Sequence, residues 1–320
     1  MNLQKFFFYA LLSLIVYLGV SFAEDTQKSS VESTFPMTVE DDMGTAVTIS
    51  SKPQRIVSLT MFSDDVLLEL VDKDRLVAIT TFAGDKDISN IADRVADFPS
   101  KITLNVEIVL SLNPDIVIVA NWSDADQVKQ LKKVGVNVFL MESGLTVDTI
   151  IAKIRTLAKV VGEVEKGERI VEDMKRRLTN ISSSLKPLSK NQRLSIIDYT
   201  VWGTAQGTGT SWDEVVTRAG LINVVGNLPV NDWGQVPLSK EKLIEFDPDI
   251  IILPGWVFGD PAGADNFYNQ TVNDPALKGM KAIVNENVYK MPESLKTTTS
   301  HYIVDAIEIL AALAYPHLFE

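Results

Sequence analysis

A twelve-residue pattern recurs in this chain, and that repetition constrains the fold more than any other feature. Leu112-Asn113-Pro114-Asp115-Ile116-Val117-Ile118 matches Phe246-Asp247-Pro248-Asp249-Ile250-Ile251-Ile252, and the match runs back to Glu107 and Glu241 at a constant offset of 134. Each copy reads as a short helix halted before proline, because the proline ring pushes the preceding residue out of the helical region. An aspartate turn then leads into an apolar run of strand length. One copy would be ordinary in an α/β protein. Two copies, each in the same place within its half of the chain, predict two similar α/β units.

The flanking patterns agree. Strand-length apolar runs at residues 55–59, 76–79, 115–119 and 136–140 alternate with helical periodicity at 64–71, 106–112 and 127–134. In the second half the strand-like runs are 194–197, 250–253 and 288–291, and the helix-like segments are 212–219, 240–246 and 300–314. Continuous apolar strands separated by helices predict mainly parallel sheets covered on both faces. A hairpin around Gly44 is expected at 37–49. Between the halves the texture changes: Ile150, Ile151, Ile154, Leu157, Ala158 and Val161 recur at helical spacing, and after Gly162 so do Ile170, Val171, Met174, Leu178 and Ile181. A single helix over residues 164–185 would be about 33 Å long, enough to bridge two lobes stiffly. The expected organisation is a targeting segment at 1–23, a polar leader at 24–36, an N-terminal lobe at 37–146, connecting helices at 147–187 and a C-terminal lobe at 188–320.

The targeting segment is read from Lys5, an apolar run to Val20, and small residues Ser21 and Ala23 at a cleavage site. Cleavage near Ala23 leaves about 297 of the 320 residues, which suits two lobes of about 130 to 150 residues better than one core. The net charge of −12 disfavours nucleic acid and anionic lipid surfaces. The sequence contains no cysteine, so disulfides, cysteine-based metal sites and acylation of an N-terminal cysteine are excluded. The expectation is therefore a free periplasmic protein, not a lipoprotein, and a monomer.

Taken together, these segments resemble the helical-backbone class of periplasmic binding proteins that serve importers of iron-siderophore, heme and cobalamin. The resemblance covers nearly all of the mature chain. It is carried by Phe35 to Asp41 with Pro53-Gln54-Arg55-Ile56-Val57-Ser58-Leu59 at the opening, by the Leu112 to Ile118 motif, and by Ala314-Tyr315-Pro316-His317-Leu318-Phe319 at the close. It implies two Rossmann-like lobes joined by one long interlobe helix, a ligand held in the cleft, and an ABC importer permease dimer as partner. It also implies one exposed carboxylate per lobe for docking to basic residues of the permease, here Glu107 and Glu241. Paired charges on paired lobes suit a two-fold partner, whereas each glutamate alone reads as a solvated helix residue.

Ligands of parallel α/β sheets bind beyond the carboxyl ends of strands, so the loops after the strands define the candidate cleft: Met61, Phe62, Phe82 and Trp122 in the first lobe, and Tyr199, Trp202, Trp233 and Trp256 in the second. Four of the five tryptophans fall there. One loop tryptophan is more often packing than ligand contact, but four at equivalent ends of two lobes suggest a broad aromatic cleft for a bulky, partly apolar ligand. The loops searched contain no Arg or Lys, whereas tricatecholate siderophores and the heme propionates call for cations. Heme also wants an axial His or Tyr, and the two histidines, His301 and His317, lie near the C-terminal helix. The ranking is a corrinoid such as cobalamin, then a hydroxamate-type ferric siderophore, then heme. A metal chelate of this kind is cargo; no catalytic cofactor and no protein-held metal are expected.

No reactive constellation accompanies the cleft. Gly207-Thr208-Gly209-Thr210-Ser211 has no lysine to make a phosphate loop, there is no nucleophile elbow, and Asp41-Asp42 and Asp64-Asp65 read as turn and helix-start residues. An exported hydrolase or metal-dependent enzyme is the alternative from another class. A binding protein for free metal ions is a further one, though it usually gathers several histidines around the ion.

Overall fold

The computed structural model describes residues 33–319, so the expected targeting segment and most of the polar leader lie outside the described residues. The hairpin is present, with β1 (Met37–Glu40) antiparallel to β2 (Ala46–Ile49) and Gly44 at φ 75° in the turn. The N-terminal lobe continues with β3 (Ile56–Leu59), α1 (Met61–Leu70), β4 (Leu76–Thr80), β5 (Lys101–Ile102), α2 (Val106–Ser111), β6 (Ile116–Ala120), α3 (Ala125–Lys133) and β7 (Val138–Met141). Its five strands lie in the order β5-β4-β3-β6-β7, every pair parallel. All residues of β3 and β6 are buried, as expected of strands covered on both faces.

Two helices follow. In α4 (Val147–Val161), Thr146 and Thr149 form a capping box, and Gly162 ends the helix in the left-handed conformation at φ 74°. Next comes α5 (Val164–Leu185), a single helix of 22 residues that buries Gly167, Val171, Met174, Ile181 and Leu185 along one stripe. Glycine is required at 167 by close approach: a Cβ there would stand 2.4 Å from the Ala158 Cβ.

The C-terminal lobe contains β8 (Ser195–Asp198), β9 (Thr204–Gln206), α6 (Ser211–Arg218), β10 (Ile222–Asn223), β11 (Gln235–Pro237), α7 (Lys240–Phe246), β12 (Ile250–Pro254), α8 (Gly263–Asn273), α9 (Lys281–Val284), β13 (Val288–Met291), α10 (Glu293–Lys296) and α11 (Ile303–Ala314). Its sheet has the order β10-β8-β12-β13, again all parallel, and β9 with β11 forms a separate antiparallel ribbon. The two lobes keep distinct sheets. Neither the β9–β11 ribbon nor α8 was anticipated, because the α8 sequence is mostly polar and amide-rich and carries no clear apolar period.

The helix α5 is tied to each lobe by an arginine. Arg75, buried in the N-terminal lobe, donates to the carbonyls of Pro53 (2.9 Å) and Val161 (2.7 Å) and pairs with Glu163 at the start of α5. Burial opposes ionisation of Glu163, but hydrogen bonds from Lys52 and Arg75 outweigh it and hold the carboxyl below its ordinary range. At the other end, Arg177 of α5 pairs with Asp305 (2.8 Å) and Glu308 of α11. One apolar core runs along this axis, from Phe62 and Leu67 through Ile154 and Val171 to Trp212, Ile307 and Leu310. Smaller clusters back the outer faces of the two sheets.

The sequence repeat is a structural repeat. Asn113 and Asp247, at φ 46° and 40°, occupy the left-handed region that short polar side chains tolerate. Asp115 then accepts from the backbone N–H of Gln54 (2.6 Å) and Arg55 (2.9 Å), clipping the start of β3. Asp249 accepts from the N–H (2.8 Å) and Oγ (2.7 Å) of Ser195, clipping the start of β8. Asn137 and Asn287 complete the match, each donating at 3.3 Å to the carbonyl of its aspartate.

Candidate functional site

A cavity of about 740 Å³ opens between the carboxyl ends of the two sheets, within the range of small-molecule sites. Met61 and Phe62 reach it from the first turn of α1, where the Thr60 hydroxyl accepts from Ser63 N at 2.9 Å. Phe62 is 4% exposed and belongs mainly to the core. Phe82 sits in a 3-10 turn after β4, and Trp122 directly follows the carboxyl end of β6. From the other lobe, Trp202 is presented by the tight turn between β8 and β9, and Trp256 by the loop after β12. There Gly255 N donates to the Met291 carbonyl at 2.9 Å, and a Cβ on Gly255 would come within 2.8 Å of that oxygen. Phe82, Trp122 and Trp202 are 50%, 73% and 69% exposed, so their ring faces are free for contact.

Two residues expected in the cleft do not line it. Tyr199 turns aside to pack against Phe267 of α8, with ring centroids 5.3 Å apart and the rings tilted by 42°, and burial raises its phenol above the ordinary value. Trp233 lies in the turn leading into β11, an antiparallel strand, and projects into solvent at 81% exposure. The strand-end rule concerns loops that leave a parallel sheet directly, whereas Trp233 stands ten residues past the short edge strand β10, in the Asn231–Gln235 turn that opens the antiparallel ribbon. His301 and His317 are also outside the lining; His301 packs on Tyr302, and burial lowers its pKa.

The cleft floor is polar, which the search of strand-end loops missed. Asp64 and Asp65 stand at the start of α1 as expected, but both are buried, at 0% and 5% exposure. Thr80 donates to Asp64 through Oγ1 (2.6 Å) and N (3.1 Å), and the Thr80 hydroxyl in turn accepts from Ala83 N (3.1 Å), which fixes the turn that bears Phe82. Asp65 accepts from Ser300 Oγ of the opposite lobe at 2.7 Å and lines the cavity. Burial raises both carboxyls to about 7. Lys296 of α10 also lines the cavity, so a cation reaches the cleft from outside the strand-end loops that contain no Arg or Lys. It is 3% exposed, and its ammonium lies 2.9 Å from Glu293. The buried Asp198 faces the same charge; burial lifts its carboxyl to about 6 despite that cation. A signal for Lys296 was present, since its segment follows the parallel strand β13 as the searched loops follow theirs. Among the described residues no group of three His, Cys, Asp or Glu could hold a metal ion.

Glu107 and Glu241 occupy the first turns of α2 and α7 and are exposed. The Ser239 hydroxyl holds the Glu241 carboxyl below its ordinary range. One turn on, each helix shows an exposed apolar residue, Leu110 or Ile244.

Residues 56–295 match the family model described as periplasmic binding protein, and the chain belongs to that family. The ABC transporter substrate-binding lipoprotein YvrC of Bacillus subtilis is 25% identical over 97% of this chain and 96% of its own length. A cobalamin-binding protein of Halobacterium salinarum is 26% identical over 68% of this chain and 58% of its own. Among solved structures, the molybdate periplasmic binding protein MolA of Haemophilus influenzae superposes with a TM-score of 0.73 at 18% identity, covering 88% of this chain and 92% of its own. The fold is that of the helical-backbone class, and the chain is an ABC transporter substrate-binding protein by family. Members of this family are transport proteins that bind substrates.

One expectation is overturned by these relatives. YvrC is named a lipoprotein, as is the siderophore-binding YfiY of Bacillus subtilis, 23% identical over 94% of this chain and 95% of its own. The expectation of a protein that is not a lipoprotein rested on one residue type, and the family includes anchored members.

Proposed function

We propose that the chain captures a bulky metal chelate in its interlobe cleft and delivers it, chemically unchanged, to the permease of an ABC importer. The observation that carries this reading is the convergence of Phe82 and Trp122 from one lobe with Trp202 and Trp256 from the other on one cavity of about 740 Å³. Rings of this kind grip a large, partly apolar body through contact area and their π faces, about 0.5–1.5 kcal/mol per aromatic pair beyond area burial. The polar groups of the floor would set its orientation. A corrinoid ranks first and a hydroxamate-type ferric siderophore second. The cobalamin-binding relative supports the first and the siderophore-binding relative the second. Heme ranks lower because neither histidine lines the cleft and Tyr199 is turned onto Phe267.

Delivery needs a docking surface. Glu107 and Glu241 stand exposed on matching helices of the two lobes, with Leu110 and Ile244 beside them; duplicated carboxylates suit the basic residues of a two-fold permease dimer. Native mass spectrometry with a visible absorption spectrum of protein purified from its own cells tests the cargo, because corrinoid, heme and ferric siderophore absorb differently. Replacing both glutamates by alanine should abolish uptake while leaving chelate affinity intact, and normal uptake by that variant rejects the docking role.

A further inference from the structure

The cavity is lined by four carboxylates, Asp65, Asp124, Glu142 and Glu293, against one cation, Lys296. That cation is already engaged, buried at 3% exposure with Glu293 at 2.9 Å and Asp198 behind it. An anionic group entering the floor would be desolvated next to Asp65 and Glu293 with no free positive charge to receive it. Most of the remaining polar lining is neutral. Eight of the lining residues are threonines, which donate or accept as a ligand requires. One of them, Thr298, is 5% exposed and its hydroxyl has no hydrogen-bond partner. An unsatisfied buried hydroxyl costs stability unless something completes it. In the same cavity Asp65 accepts from Ser300 Oγ at 2.7 Å and the Asn90 amide donates to the Ser294 carbonyl at 2.8 Å, so this part of the floor is held from both lobes.

We propose that Asp65, Asn90 and Thr298 form a subsite for an uncharged amide or hydroxyl arm of the cargo, and that the chelate carries such arms where other chelates carry carboxylates or catecholates. The inference rests on the chelate reading above and narrows it. An amide arm supplies an N–H for Asp65 and a carbonyl for the Thr298 hydroxyl, completing that hydroxyl without burying a charge. The aromatic rim would hold the body of the chelate and the floor would read its periphery.

Two pairs of probes, each matched in metal, test the subsite by titration calorimetry on the purified protein. The first pair is dicyanocobinamide and dicyanocobyrinic acid, which share a corrin ring and differ chiefly in peripheral amides against carboxylates. The second pair is ferrioxamine B and a ferric tris-catecholate. In at least one pair the amide-bearing member should bind, and its anionic counterpart should bind at least about a hundredfold more weakly, since unpaired buried charge is the penalty. Thr298→Val, which keeps shape and removes the hydroxyl, should weaken the amide-bearing member about tenfold, the worth of one neutral hydrogen bond. Equal or tighter binding of the anionic member overturns the subsite, as does unchanged affinity in a folded Thr298→Val protein. Failure of all four probes to bind overturns the chelate reading itself, and the subsite with it.

Discussion

In the N-terminal lobe Asp115 clips the start of β3, and in the C-terminal lobe Asp249 clips the start of β8, each after a left-handed residue and a proline, and each supported by an asparagine at 3.3 Å. The walls these lobes turn to the cleft are not copies. One buries Asp64 and Asp65 in a hydroxyl network, and the other buries Lys296 with Glu293 and Asp198. Devices that hold a parallel strand at its entrance answer to the same backbone geometry in both lobes, so repetition serves them. A cleft meets a single cargo with unlike sides, so its two walls share no such constraint.

A change of pH should act most strongly on the buried carboxyls of the two walls. The ordinary carboxyl value of 3.8 is raised to about 7 for Asp64 and Asp65, and to about 6 for Asp198. A raised folded-state pKa means the folded protein holds the proton more tightly. Its contribution to stability is therefore complete below 3.8 and is lost as pH rises through the folded value. Each group contributes a slope of at most about 1.4 kcal/mol per pH unit in that window. Urea titrations between pH 4 and 8 should show the difference between wild type and Asp65→Asn shrinking or reversing as pH rises. A difference independent of pH would mean the Asp65 carboxyl titrates normally.

The two anchors of α5 should differ in strength. Arg75→Ala strips the Pro53 and Val161 carbonyls of their buried donor and leaves the half-buried Glu163 to Lys52 and Lys166, and should cost about 2–3 kcal/mol. Arg177→Ala, whose partners are half exposed, should cost about 1 kcal/mol or less. Equal shifts of the urea midpoint would show that the helix is held alike in both lobes.

For the rim, Trp122→Ala and Trp202→Ala should each weaken binding of the captured chelate about tenfold or more, as buried aromatic anchors do. Trp233→Ala should leave affinity unchanged, as read by titration calorimetry. A loss at Trp233 would extend the site to the β9–β11 ribbon. The smallest effect is expected at the paired clips: Asp115→Ala and Asp249→Ala should each cost about 1–2 kcal/mol, with the half-buried Asp249 at the higher end. A large cost at only one of them would show that the repeat is geometric but not energetic.

Much of the fold was legible because its signals are local. Apolar runs marked β3, β6, β8 and β12, helical periodicity and Gly162 marked α4 and α5, and the Pro-Asp repeat marked the division into lobes. What escaped has weak or misleading local character. Polar α8 lacks periodicity, and the β9–β11 ribbon is too short to read from alternation. Trp233 and Tyr199 sit in loops that look like their neighbours, yet one belongs to the turn of the antiparallel ribbon and the other has an aromatic partner 68 residues away in α8.

The amino-acid order by itself determined the two α/β units, the rod between them and the aromatic character of the strand-end loops, because hydrophobic period, proline and glycine act within a few residues of themselves. Which aromatics share one cavity, and that its floor holds Asp65, Thr298 and a Lys296 ion-paired with Glu293, followed from tertiary packing alone. Burial and charge pairing depend on segments far apart in sequence, as when Ser300 meets Asp65 across the lobes.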